Sequence, residues 1–195
     1  MHAIPAGRLR VRLLTGLAVC VLPLTACTDD SDDPPPSDGP ESVALELSLG
    51  PGADGLTTEA RDDLQNDVGA VLTTYVVEGF LGDYPRDDFV GVLDSFTTHF
   101  APRAAQNLEQ ITGTSFAKAE EVVATHLEAR ISTFAPGKEA LGVSAAVDFA
   151  FDVTEGGTTR EETLRGRLML MPENGEWRIF GYDVQGIQPP TGGST

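Results

Sequence analysis

Leu141-Gly142-Val143-Ser144-Ala145-Ala146-Val147-Asp148-Phe149-Ala150-Phe151-Asp152-Val153 is the longest unbroken alternation in the chain. Leu141, Val143, Ala145, Val147, Phe149, Phe151 and Val153 fall on every second position, with Asp148 and Asp152 opposite. Period two places the apolar set on one face, so the spacing predicts a long strand with one buried and one wet side. Upstream, Leu127, Ala129 and Ile131 alternate with His126, Glu128 and Arg130, and Ala135-Pro136-Gly137-Lys138 supplies the turn between the two strands. Downstream, Glu155-Gly156-Gly157 turns the chain, and Leu164, Gly166, Leu168 and Leu170 mark a third strand. Pro172-Glu173-Asn174-Gly175 is a strong hairpin signal leading into Trp177-Arg178-Ile179-Phe180-Gly181-Tyr182-Asp183-Val184. Connections this short make an antiparallel meander.

One apolar face of such a sheet needs a cover, and the N-terminal half supplies helices. From Thr57 the period changes: Leu64, Val68, Val71, Leu72, Tyr75 and Val76 form one stripe, with Thr57 or Thr58 as cap, Glu59, Asp62 and Asp63 near the positive end, and a stop near Phe80-Leu81-Gly82. Tyr84-Pro85-Arg86-Asp87-Asp88 opens a second expected helix, with the stripe Phe89, Val92, Leu93 and Phe96. A third follows Pro102, carries Ala104, Leu108 and Ile111, and ends at Gly113. Residues 114–123 fit either a helical turn or the start of a strand. Ahead of the helices, Val43, Leu45, Leu47 and Leu49 alternate with Ala44, Glu46 and Ser48 before Gly50-Pro51-Gly52, a short strand whose place in the sheet the pattern leaves open. Helices followed by consecutive strands over residues 42–188 define an α+β domain, with 189–195 as a tail.

The first residues follow a different logic. Arg8, Arg10 and Arg12 precede an apolar run from Leu13 to Leu24. That run is well short of the roughly 20 residues a permanent span needs, so residues 1–26 fit a secretory signal peptide. Leu24-Thr25-Ala26-Cys27 resembles the lipobox of bacterial lipoproteins, which implies a diacylglyceryl thioether on Cys27, palmitate-type acyl chains and cleavage just before it. At the upstream candidate, Leu17-Ala18-Val19-Cys20, bulky Val19 occupies the position where a small side chain is wanted. The alternatives are an ordinary secretory signal cut near Ala26 and an uncleaved anchor. Cys20 would leave with the leader, so the mature chain would hold one acylated sulfur, no disulfide, and a domain kept together by burial. Two acyl chains make such anchoring to the cell membrane stable, on its extracytoplasmic side.

Residues 27–41 join the anchor to the domain. Positions 28–41 carry six acids, four prolines and no large apolar side chain, a composition that predicts a disordered spacer without the fixed spacing of a calcium loop. The formal charge of −17 becomes −20 once Arg8, Arg10 and Arg12 are removed, so nucleic acid and anionic headgroups are poor partners.

The order of elements is similar to the NTF2-like (SnoaL-like) superfamily, in which N-terminal helices pack into a strongly curved sheet to form a cone. The stretches that carry the resemblance are Tyr84-Pro85-Arg86-Asp87-Asp88-Phe89 leading to Phe96-Thr97, Phe100-Ala101-Pro102, and the closing Gly175 to Val184, and it covers roughly residues 57–186. The layout also resembles Mce-associated proteins and actinobacterial lipoproteins of the same build. The resemblance implies a curved antiparallel sheet, a sheet-to-sheet homodimer, and either isomerase, cyclase or dehydratase chemistry in the cone or simple binding. No residue matches an enzymatic motif of the superfamily, so none carries a catalytic role across.

The residues themselves offer few chemical groups. His99 falls near the end of the second expected helix, and His126 shares a strand face with Glu128 and Arg130. Asp183 is the carboxylate best placed to turn inward as a general base, since twist near a closing edge often breaks alternation. Two histidines far apart in the pattern give no metal site, and no cofactor motif stands out. Tyr75, Phe89, Phe96, Phe149, Phe151, Trp177 and Phe180 either fill the core or line a binding cavity; Tyr75, Phe89, Phe96, Trp177 and Phe180 are the ligand-binding candidates. The leading expectation is non-catalytic binding of a small apolar ligand or an envelope protein. The alternatives are an isomerase- or cyclase-type enzyme and an accessory subunit of an Mce-type lipid-import system.

Overall fold

The computed structural model describes residues 43–188. The expected signal peptide, Cys27, the expected acidic spacer and the expected tail lie outside them. Five strands form one mixed sheet in the order β1-β2-β3-β4-β5: Glu46–Leu49, Glu121–Phe134, Gly142–Glu155, Thr158–Glu173 and Glu176–Gln188. The meander of β2 to β5 is antiparallel throughout. The short first strand does join the sheet, but parallel to β2, from Glu46 opposite Glu128 to Leu49 opposite Ile131, which corrects the expectation of a purely antiparallel sheet.

Turn chemistry sets the register. Gly156 and Gly157 adopt φ 58° and 71° between Glu155 and Thr158, and Asn174 and Gly175 adopt 55° and 87° between Glu173 and Glu176. Both are two-residue loops with positive φ, the form whose twist matches the flanking strands. The buried face of β3 is the expected one: Val143, Ala145, Val147, Phe149, Phe151 and Val153 are all buried. Leu141 is not part of it; β3 begins at Gly142, and Leu141 is 53% exposed.

Helix α1, Thr58–Phe80, lies over that face. The Thr57 side chain accepts from the Ala60 amide at 3.2 Å, and Leu64, Val68, Leu72, Tyr75, Val76 and Phe80 are buried. Phe80 reaches the centre of β3, its ring 5.4 Å from Phe149 and 5.7 Å from Phe151. Each such phenylalanine contributes about 1.5–3 kcal/mol by leaving water.

The other expected helices are shorter than the spacing suggested. The second is a 3-10 helix over Val90–Ser95. Valines at 90 and 92 around Gly91 disfavour a regular helix, and the Asp88 carboxylate accepts from the Val90 amide at 2.9 Å, a local bond that competes with helical pairing. The third breaks in two, α2 at Ala101–Ala105 and α3 at Leu108–Ile111, where the Asn107 side-chain amide donates back to the Arg103 carbonyl at 2.9 Å. The ambiguous stretch holds a 3-10 turn, Gly113–Phe116, before β2 starts at Glu121.

Candidate functional site

The mismatch in length between β1 and β2 creates a groove. β1 pairs with β2 only from Glu128 onward, so the stretch from Glu121 to Leu127 has no paired strand on that side. The last turns of α1 stand across the gap, and Val43, Ala44 and Leu45, ahead of β1, border it. Together with Thr73, Val76, Val77, Leu81, Val122, Val123, Ala124 and Leu127 they enclose about 830 Å³. Val76, Val122 and Leu127 are buried in its walls, whereas Val77 is 43% exposed.

The polar groups of the groove are mostly of one sign. Asp83, Glu120 and Glu121 are exposed carboxylates among the lining residues, and no lysine, arginine or histidine is among them. Tyr84 also lines it, its hydroxyl donating to the Phe80 carbonyl at 2.8 Å. Burial pushes the Tyr84 phenol up to about 12 against the opposing pull of Arg86, so it stays neutral near pH 7. Arg86 itself is not part of the lining. Its guanidinium donates to the Leu81 carbonyl at 2.6 Å, to Glu78 at 3.0 Å and to Asp88 at 2.7 Å, and it sits 4.4 Å over the Phe89 ring.

The aromatics expected to line a cavity divide between several places. Tyr75, Phe89 and Phe96 are core residues, exposed by 0%, 4% and 3%. Trp177 is half-buried at a separate cleft of about 340 Å³ between α1 and the β4–β5 hairpin, with Asp67, Thr74, Asp94, Ser95 and Arg178. Phe180 projects on the opposite side of the sheet and is 40% exposed. It lines a hollow of about 520 Å³ with Phe134, Leu141, Met169 and Met171. Of the six exposed large hydrophobic side chains among the described residues, Phe134, Leu141, Met171 and Phe180 all belong to this patch.

His99, His126 and Asp183 are each exposed and in different parts of the fold. His126 faces Glu128 across 3.9 Å on the outer side of β2. At Asp183 the alternation does break, in the outward direction. A register shift opposite Met169 and Leu170 sets both Ile179 and Tyr182 against inward leucines, which leaves Asp183 across from Arg167 on the wet face. Among the described residues no group of three or more histidines, cysteines or acids could hold a metal ion, and no helix is long and apolar enough to cross a membrane.

The groove residues were not candidates from the sequence. Val77 lies off the buried stripe of α1, Val122 and Val123 fall in the ambiguous stretch, and Val43 and Leu45 belong to a strand of undecided place. An apolar residue off a helix's buried stripe, such as Val77, is the one local signal that pointed there. Comparison of the chain with protein-family models, curated proteins and solved structures gives no match.

Proposed function

We propose that this chain is a membrane-anchored, extracytoplasmic protein of NTF2-like build that binds a small apolar ligand and does not transform it. The observation that carries the binding function is the groove between α1 and β2. Its volume of about 830 Å³ suits a drug-sized or single-chain ligand, and its walls are mainly valine, leucine and alanine. The NTF2-like assignment rests on the four-stranded meander covered on one side by α1 and the short helices that follow it. The anchor rests on Leu24-Thr25-Ala26-Cys27 and the arginines before it, with the diacylglyceryl group on Cys27.

The test is binding of an apolar naphthylamine dye to the full chain. Val77→Asp places a charge in the groove at a position exposed enough to tolerate it, and is expected to weaken binding about tenfold or more. Val90→Asp, at an exposed position outside the groove, is the control. Equal dye affinity in wild type and Val77→Asp would sink the groove as the binding site. For the anchor, Cys27→Ser is expected to shift the protein from the membrane fraction to the soluble one.

The outer-face patch favours a companion proposal, a sheet-to-sheet homodimer. Exposed phenylalanines, leucine and methionine gathered at one end of an otherwise charged sheet face are what a protein contact requires.

A further inference from the structure

We infer that the cleft between α1 and the β4–β5 hairpin binds a pyranose sugar, at a site separate from the α1–β2 groove. Three segments build it. Asp67 and Thr74, seven apart on one face of α1, stand on either side of the small Ala70. Asp94 and Ser95 end the 3-10 helix, and Trp177 and Arg178 open β5. Phe96 bridges to Ile179, and the Thr97 amide donates to the Ile179 carbonyl at 2.9 Å, which pins Ser95 beside the start of β5. Arg178 closes that corner by donating to the Asp94 carbonyl and to the Glu176 carboxylate.

The observation that points to a ligand is the Ser95 hydroxyl. Ser95 lines the cleft and is only 4% exposed, yet its Oγ has no hydrogen-bond partner. Among the buried side-chain polar atoms of the described residues, Thr133 Oγ1 alone shares that condition, and Thr133 lines the outer hollow with its phenylalanines and methionines. A buried hydroxyl without a partner is costly, and rotation about one torsion brings a serine hydroxyl to a ligand group at the cleft wall.

The other walls define what that group belongs to. Trp177 is half-buried and lends the cleft an aromatic surface. Asp67, Thr74 and Asp94 are exposed, so their oxygens can exchange water for ligand hydroxyls. A purely apolar ligand would cover these oxygens and the Ser95 hydroxyl without pairing them. A pyranose has both halves the cleft asks for: a C–H face that lies on the indole, and a rim of hydroxyls that donate to carboxylates and accept from Ser95 and Thr74. A volume of about 340 Å³ takes one such ring, with any further ring outside.

Trp177 is the single tryptophan of the chain, so its fluorescence reports on this cleft alone. The experiment titrates the full chain with maltose, cellobiose and chitobiose, and with glycerol at equal hydroxyl concentration. At least one disaccharide is expected to give a saturating change with a half-point near about 1 mM, and glycerol none. Ser95→Ala removes an unpartnered hydroxyl, so a folded protein is expected, with the sugar bound about fivefold more weakly. Asp67→Asn, at an exposed position, is expected to weaken it about threefold. Val77→Asp, in the α1–β2 groove, is expected to leave the sugar titration unchanged, and Ser95→Ala to leave dye binding unchanged, so the two sites fail or stand separately. No saturation with any of the three sugars up to about 50 mM, or a response no different from glycerol's, overturns the inference. Wild-type affinity in both Ser95→Ala and Asp67→Asn would place the sugar elsewhere and overturn it as well.

Discussion

The hydroxyl of Tyr75 in α1 donates to the carbonyl of Ile111, the last residue of α3, at 2.8 Å, and both residues are fully buried. A four-residue helix cannot satisfy its own final carbonyls, so this bond supplies a partner that the local chain lacks. It also ties the long helix to the broken segment that closes the helical layer over β5. Tyr75 thus has a structural role.

Tyr75→Phe keeps the ring, which stands 6.0 Å from Phe80 and 6.2 Å from Phe96, and removes only the donor. The Ile111 carbonyl then stays buried without this partner, at an expected cost of about 1–3 kcal/mol. Urea unfolding is expected to show a lower midpoint with an unchanged slope. A midpoint equal to that of wild type would contradict the role given to this bond.

Stability should fall on the alkaline side. Burial holds the Tyr75 phenol far above its ordinary 10, with Tyr182 adding to the rise, and Tyr84 is raised to about 12. In both cases the folded form keeps a proton that the unfolded chain releases above pH 10, so stability is full below that value and declines as pH rises past it. Tyr75 alone contributes a slope of about 1.4 kcal/mol per pH unit. Denaturation measured from pH 8 upward should show the decline, and Tyr75→Phe should remove about one proton from its slope.

Gly166 is required by its surroundings. It sits at φ 155° opposite Val184, and a methyl group there would lie 2.3 Å from the Asp183 carbonyl oxygen and 2.5 Å from the Val184 Cα. Both are backbone atoms of a paired strand, which cannot rotate away. Gly166→Ala is therefore expected to cost more than about 2 kcal/mol. Gly157→Ala, where φ is 71° but nothing lies within 4 Å, should cost only the backbone strain, about 1–2 kcal/mol. Thermal melts that rank the two the other way would refute this account.

Met171→Ser with Phe180→Ser tests the outer patch. The two side chains are 41% and 40% exposed, so a soluble, folded protein is expected, destabilised by no more than about 1 kcal/mol. Sedimentation should show a dimer in wild type and a monomer in the double variant. An unchanged association state would remove the patch as the contact.

The sheet was legible because period-two alternation and the two glycine-bearing turns fix register locally, and the α1 stripe was legible because the helix is long enough to repeat its pattern. Val90-Gly91-Val92 misled because Phe89, Val92, Leu93 and Phe96 have helical spacing, while the Asp88 and Arg86 bonds that shape the segment leave no periodic trace. Asp183 depended on a register shift opposite Met169 and Leu170, a property of two strands that neither strand's pattern contains alone. The groove was hidden for a related reason. It exists because β1 is shorter than β2, and the relative lengths of paired strands become visible only once the parallel pairing is known.

That parallel pairing also imposes an order of assembly. Hairpins β2–β3, β3–β4 and β4–β5 close through neighbours in sequence, whereas Glu46 waits for Glu128 and the stripe of α1 waits for β3. A chain emerging N-terminus first thus presents an unsheltered amphipathic helix until its last strands follow. Protection of that helix until then falls to whatever escorts the nascent polypeptide.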